Sequence, residues 1–209
     1  MATEYAELPL LQPIQTDKGE ADTLIVTRPT SGVMMKTLDA PNARQRIATF
    51  VEGCCYARVN GDARVKFESS SLNAADAGEI ASVVSAMSGD ADGIEVPDAE
   101  TADGIGEPIV YTLQFPLHLA KKDDGSEEKV LQLEFRARTL GEISRYLDAQ
   151  GTGAEFREFM RAFGTLLGTR LPMTDTIIDA FDFIDFLVVR NKIMGKLVRS
   201  RGRWKRTST

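Results

Sequence analysis

Apolar and polar positions alternate strictly from Tyr111 to Leu119, with Tyr111, Leu113, Phe115, Leu117 and Leu119 on one side. That period of two predicts a half-buried strand. A return strand is predicted at 130–135, where Leu131, Leu133 and Phe135 share a face, after an Asp-Asp-Gly turn at 123–125. The first half carries the same signals, Asp-Lys-Gly at 17–19 followed by Thr-Leu-Ile-Val-Thr at 23–27. Proline in the first strand of each hairpin favours a sheet edge, because it cannot donate to a ladder. Helical spacing then takes over. Phe156, Phe159, Met160, Phe163 and Leu167 form one apolar stripe ending at Gly168, and Ile47, Phe50, Val51 and Cys54 form its counterpart. Thr139-Leu140-Gly141-Glu142 and Thr152-Gly153-Ala154-Glu155 read as capping boxes. A last helix is predicted from near Asn73 to Gly89, and again from Thr174 to beyond Gly195. Asn60-Gly61 predicts an extra hairpin between helices of the first half.

These matching signals point to an internal repeat. The segment RPTSGVMMKTLDA at 28–40 lies over ARTLGEISRYLDA at 137–149 without a gap, setting Thr30 on Thr139 and Gly32 on Gly141. A second block sets Asp76 against Asp182, Ile80 against Phe186, Val83 against Val189, Met87 against Ile193 and Gly89 against Gly195. Upstream, Leu8-Pro9-Leu10 faces Phe115-Pro116-Leu117. The expectation is an α+β chain of two repeated units, each a β-hairpin followed by about three helices. The first unit spans 1–89 and the second 108–198. Between them, 90–107 is an acidic linker with seven acids and no base, and 199–209 is a basic tail.

Composition narrows the chemistry. With 209 residues, 43% hydrophobic and 27% charged, the chain has the makeup of a globular protein. Seven of its 25 basic side chains lie in 192–209 without an acid, so the remainder carries 18 bases against 31 acids. No apolar run reaches the ~18 residues that span a bilayer. The start, MATEYAELPLL, lacks the basic region of a secretory signal. Adjacent Cys54 and Cys55 fit a reducing compartment. One histidine, His118, expected to face solvent from its strand, leaves little from which to build a zinc cluster or a His-based triad. No nucleotide-binding, nucleophile-elbow or zincin motif occurs. Asp90-Ala91-Asp92-Gly93 resembles the start of a calcium loop but has Thr101 at the twelfth position. Asp179, Asp182 and Asp185 recur every three residues and read as a solvated helix stripe. No catalytic residue, metal or cofactor is therefore expected.

The last helix is apolar nearly all round, from Ile177 to Val189, which calls for a central place in a core or a covering partner. On one continuous helix, residues 181 and 183 would stand about 200° apart. Phe181, Ile184 and Val188 are accordingly expected inside the second unit. Phe183, Phe186 and Leu187 are expected to face the first unit or a partner. The tail residues Arg199, Arg201, Arg203, Trp204, Lys205 and Arg206 could hold phosphates and stack one base, the weaker nucleic-acid reading.

A hairpin running into TLIVTRPTSGVMM, with a terminal helix opening at LNAADAGEIASVVSAM, is similar to the small tail assembly chaperones of tailed bacteriophages. The residues that carry the resemblance are Arg28, Pro29, Thr30, Gly32, Leu72 and Asp76. In the second half Thr139, Gly141, Leu147, Asp148 and Asp182 keep the pattern, while Ala137 and Arg138 replace Arg-Pro. The resemblance spans about 80 residues per half, and the family is usually a single unit, so a tandem form departs from it and leaves room for a baseplate or hub assembly protein. It implies a non-enzymatic chaperone that shields the tape measure protein, or binds other tail proteins, in the host cytoplasm, with Arg28, Pro29 and Gly32 at the partner surface. The alternative is a structural component of the virion tail or baseplate. No membrane is implied, and an oligomer is compatible with either role.

Overall fold

In a computed structural model the described residues are 4–61, 63–96, 108–121, 127–139 and 141–199. The chain is mixed α+β and divides into two units, Met1–Asp90 and Ala91–Thr209.

In the first unit, β1 (Glu4–Thr16) and β2 (Gly19–Thr27) form an antiparallel hairpin closed by Asp17 and Lys18. β3 (Cys55–Val59) and β4 (Ala63–Val65) extend it to a four-stranded sheet in the order β1-β2-β3-β4. Between β3 and β4, Asn60 (φ 52°) and Gly61 (φ 87°) take left-handed backbone, which these two residue types reach at little cost. β1 lies at the edge, paired on one side only, where a proline is tolerated; Pro9 stands at the start of a register shift and Pro13 within it. α1 (Ser31–Asp39) and α2 (Ala43–Cys54) follow β2. Asn42 caps α2, accepting from the Gln45 amide at 3.0 Å while its Nδ2 donates to Gln45 Oε1 at 2.7 Å. A Cβ at Gly53 would lie 2.5 Å from Val33 Cγ1, so only glycine lets α2 pass α1 this closely. The orphan carbonyls at the end of α2 are met by Thr27 Oγ1, 2.8 Å from Cys54 O, and by Lys66 Nζ on Glu52 O. α3 (Ala74–Asp92) ends the unit, its last two residues already in the second, and the Asn73 side chain accepts from the Ala75 and Asp76 amides. Because α3 runs to Asp92, the expected linker begins inside a helix; its stretch 97–107 lies outside the described residues.

In the second unit, β5 (Ile109–Lys121), β6 (Glu127–Phe135) and β7 (Gly164–Leu166) make a three-stranded sheet in that order, again with the proline-bearing strand at its edge. The 123–125 turn lies outside the described residues. α4 (Ser144–Asp148) is short, and α5 (Thr152–Phe163) carries the aromatic stripe inward, with Phe156, Phe159, Met160 and Phe163 all buried. The Phe135, Phe159 and Phe163 rings stack in series at 5.9 and 4.8 Å between centroids. Glu142 accepts from the Thr139 amide and hydroxyl, both at 2.8 Å, which is half of the expected capping box. The other predicted box does not form: Gly151, at φ 88°, stands at the cap of α5 in place of Thr152.

The predicted single terminal helix is broken. α6 (Asp175–Asp179) stops, Asp182 in extended backbone caps α7 (Phe183–Val188), a π-helical turn spans Val189–Ile193, and α8 (Met194–Arg199) completes the chain as described. Thr174 caps α6 at the expected start, accepting from the Ile177 amide, and Asp182 supplies an unexpected second cap, accepting from the Ile184 amide. Two caps within nine residues end one helix and begin another.

Each ladder contains the same irregularity. On β1, Pro9 pairs with Thr23 and the next pair is Ile14 with Ala21; on β5, Thr112 pairs with Gln132 and the next pair is Leu117 with Val130. Five steps on the edge strand answer two on its partner, a bulge of three extra residues. Opposite this bulge one member of the predicted inner face of β6 turns out, Leu131 being 53% exposed and Val130 buried, while Leu133 and Phe135 are buried as expected. It also corrects the upstream comparison, since by register Pro9 corresponds to Thr112 and not to Pro116. The sheets differ in strand number, and α3 is continuous where α6, α7 and α8 are not.

Candidate functional site

The bulges are where the last helices take hold of the edge strands. In the second unit Asp185, on the first turn of α7, is fully buried. Its Oδ1 accepts from Tyr111 Oη at 2.6 Å and from the Gln114 amide at 2.8 Å, and its Oδ2 accepts from the Phe115 amide at 3.2 Å. A bulge leaves strand amides without ladder partners, and a buried carboxylate is a strong acceptor for them. The match removes the cost of desolvating both sides. Burial first, and then the Asp185 charge and hydrogen bond, push the Tyr111 phenol well above its ordinary range. Asp185 therefore holds β5 in its kinked course from within the fold, with no open face toward a substrate.

The first unit has the lighter version. Asp76, 4% exposed on the first turn of α3, accepts from the Leu11 amide in the β1 bulge at 3.1 Å and from Asn73 Nδ2 at 2.5 Å. Asn73 and Asp182 are thus the capping residues, and Asp76 and Asp185 the strand-holding ones. This moves the pairing of the terminal helices by three residues from the sequence comparison, which had set Asp76 on Asp182. The corrected offset is the one that carries Thr30 onto Thr139 and Cys55 onto Gly164.

Asp179, Asp182 and Asp185 do not form a solvated stripe. Asp179 accepts from Arg157 at 2.8 Å, Asp182 is a cap, and Asp185 is interior, because the break at 180–182 puts them on different helices. The same break overturns the two-faced reading of the phenylalanines. Phe181 precedes the cap of α7, so its angle to Phe183 is not that of one helix. Phe181, Phe183, Phe186 and Val188 are at most 2% exposed, and the Phe186 ring meets Phe156 edge-on at 4.6 Å between centroids. Phe186 is thus packed within its own unit and Phe183 is buried, whereas the sequence reading places one or both against the first unit or a partner. Leu187 is half-buried. At the β2–α1 junction Pro29 and Gly32 are buried too, and Arg28, half-buried, lies 5.9 Å from the centre of the Tyr5 ring. His118 is exposed, as expected.

A second feature lies along the end of the chain. Asn191, Lys192, Gly195 and Lys196 form one wall of a groove of about 700 Å³, and Asp92, Ile94, Glu95 and Val96 form the other. Lys192 Nζ donates to Asp92 O at 2.8 Å and to Ile94 O at 2.5 Å, and Lys196 Nζ donates to Val96 O at 2.9 Å. Of the tail residues, Arg201, Arg203, Trp204, Lys205 and Arg206 lie outside the described residues, as does the Arg199 side chain. Both cysteines are free and buried; hydrogen bonding with Cys55 and then burial hold the Cys54 thiol far above its usual range. Among the described residues no three His, Cys, Asp or Glu side chains converge to hold a metal, and no helix is long and apolar enough to cross a membrane.

No family model matches the chain, and no curated protein or solved structure shows significant similarity to it.

Proposed function

We propose that this protein is a non-enzymatic phage tail assembly chaperone or adaptor that binds the tape measure protein in the host cytoplasm. The observation that carries the reading is the course of the first unit. Its hairpin leads directly into Arg28-Pro29-Thr30-Ser31-Gly32, Thr30 stands at the cap of α1, and Asp76 opens the closing helix α3. That order of elements and residues is the one the family resemblance rests on. We further infer that the two units descend from one. The common bulge, the two carboxylates that hold it and the single offset linking Thr30 to Thr139 and Asp76 to Asp185 support a duplication.

Co-expression with the tape measure protein of the same genome tests the function. The expected outcome is a complex that survives purification and a partner that becomes soluble; an insoluble partner and no complex would overturn the reading. Mass spectrometry of purified virions separates it from the alternative. A chaperone is depleted from particles, whereas stoichiometric copies would make the chain a structural component of the tail or baseplate.

A further inference from the structure

We propose that the helical face bearing Asn191, Lys192, Gly195 and Lys196 is a docking site for an extended acidic peptide of a partner, and that the chain's own segment Asp92–Val96 occupies it as an internal competitor. The resident segment shows what chemistry the face accepts. Ile94 and Val96 are half-buried and Glu95 between them is exposed, the alternation of an extended strand lying on a surface. Its backbone carbonyls, rather than its carboxylates, take the ammonium groups of Lys192 and Lys196, which stand one helical turn apart. Asp92 O is the carbonyl at the end of α3, whereas Ile94 O and Val96 O belong to non-helical backbone; contacts of the second kind are indifferent to sequence, so another extended chain can make them.

Selectivity comes from charge and from the apolar seats. The face presents two ammonium groups, Lys192 and Lys196, while the seated segment carries Asp92 and Glu95. A nucleic-acid backbone would satisfy the charge but has no alternate apolar groups for the places of Ile94 and Val96, so an acidic peptide fits better. The π-helical turn Val189–Ile193 includes two residues of the groove wall, Asn191 and Lys192, and such turns recur at functional sites. The contacts that hold the segment are exposed or partly buried ammonium–carbonyl bonds, so displacement breaks no buried charge pair. The proposal does not depend on the tail-assembly reading.

The test uses the full chain and a fluorescein-labelled peptide with the sequence of residues 90–96. An Ile94→Gly/Val96→Gly variant, which weakens the resident segment, is expected to bind the peptide at least tenfold more tightly than the unaltered chain does. Adding Lys192→Gln and Lys196→Gln should abolish that gain, and a peptide with Asn and Gln for its acids should bind at least fivefold more weakly. Should the glycine variant fail to fold, amide hydrogen exchange of 92–96 in the unaltered chain gives the same answer, because saturating peptide should accelerate it. Absence of the tenfold gain, or of the acceleration, overturns the proposal. So does a gain untouched by the lysine substitutions. Displacement of the peptide by a single-stranded oligonucleotide at lower concentration than by unlabelled peptide would assign the face to nucleic acid instead.

Discussion

The two units solve one problem with different strength. Each has an edge strand with three extra residues, and each sends a carboxylate from the first turn of a late helix to the amides that the bulge exposes. Asp76 takes one strand amide and shares itself with Asn73, and the bulge it holds points Leu11 outward at 72% exposure. Asp185 takes two strand amides and a phenol, and the neighbouring Phe115 is half-buried. The difference is one of burial. Asp185, at 0% exposure, is cut off from water, whereas Asp76, also buried but at 4%, keeps a small area through which water can answer part of the task. The second unit pairs its more deeply buried acid with more donors, and its helix α7 is buried on nearly every side.

The largest expected effect follows from that contrast. Asp185→Ala leaves two amides and a phenol buried without acceptors and should cost about 3–5 kcal/mol, whereas Asp76→Ala should cost about 1–3 kcal/mol. Hydrogen exchange of the Gln114, Phe115 and Leu11 amides, alongside urea unfolding, reads each unit separately; equal losses would break the comparison. Tyr111→Phe is next, at about 1.5–3 kcal/mol for a hydrogen bond to a charged group. It also has a pH signature. Because the folded phenol titrates above its ordinary value, its contribution is fully present below pH of about 10 and is lost as pH rises further. The second unit should therefore weaken in alkali, and Tyr111→Phe should flatten that slope in a stability–pH series. The smallest effect is expected at Leu11→Ser, within about 0.5 kcal/mol, since the side chain is largely in water.

Much of this was legible in the residues. The hairpins follow from period-two alternation, their edge positions from proline, and the α5 core from the 3.6-residue stripe as far as Phe163, where the helix gives way to β7 and leaves Leu167 beyond it. The terminal helix was not legible by the same means. From Ile177 to Val189 nearly every residue is apolar, so periodicity is silent on where one helix stops, and a uniform run was read as one rod. The break lies at Asp182, whose polar side chain among phenylalanines is a cap. The signal was a spacing rather than a stripe: Asn73-x-x-Asp76 and Asp182-x-x-Asp185 place a cap and then an acid one turn later. The separation of Phe181 from Phe183 loses its basis here, since a helical-wheel angle has no meaning across a cap, and within α7 itself Phe183, Ile184, Phe186 and Val188 are all buried. The groove at Lys192 and Lys196 was hidden differently, because its acceptors are backbone carbonyls and no side-chain pattern announces them.

The reach of the two carboxylates also orders events during synthesis. Asp76 lies 65 residues beyond the amide it accepts from, and Asp185 lies 71 beyond Gln114. While a ribosome is still making the intervening chain, the amides of each bulge have no carboxylate to meet them. The closing helix brings that acceptor last, once for each unit, so the kink of each edge strand is fixed only after the rest of its unit has been made.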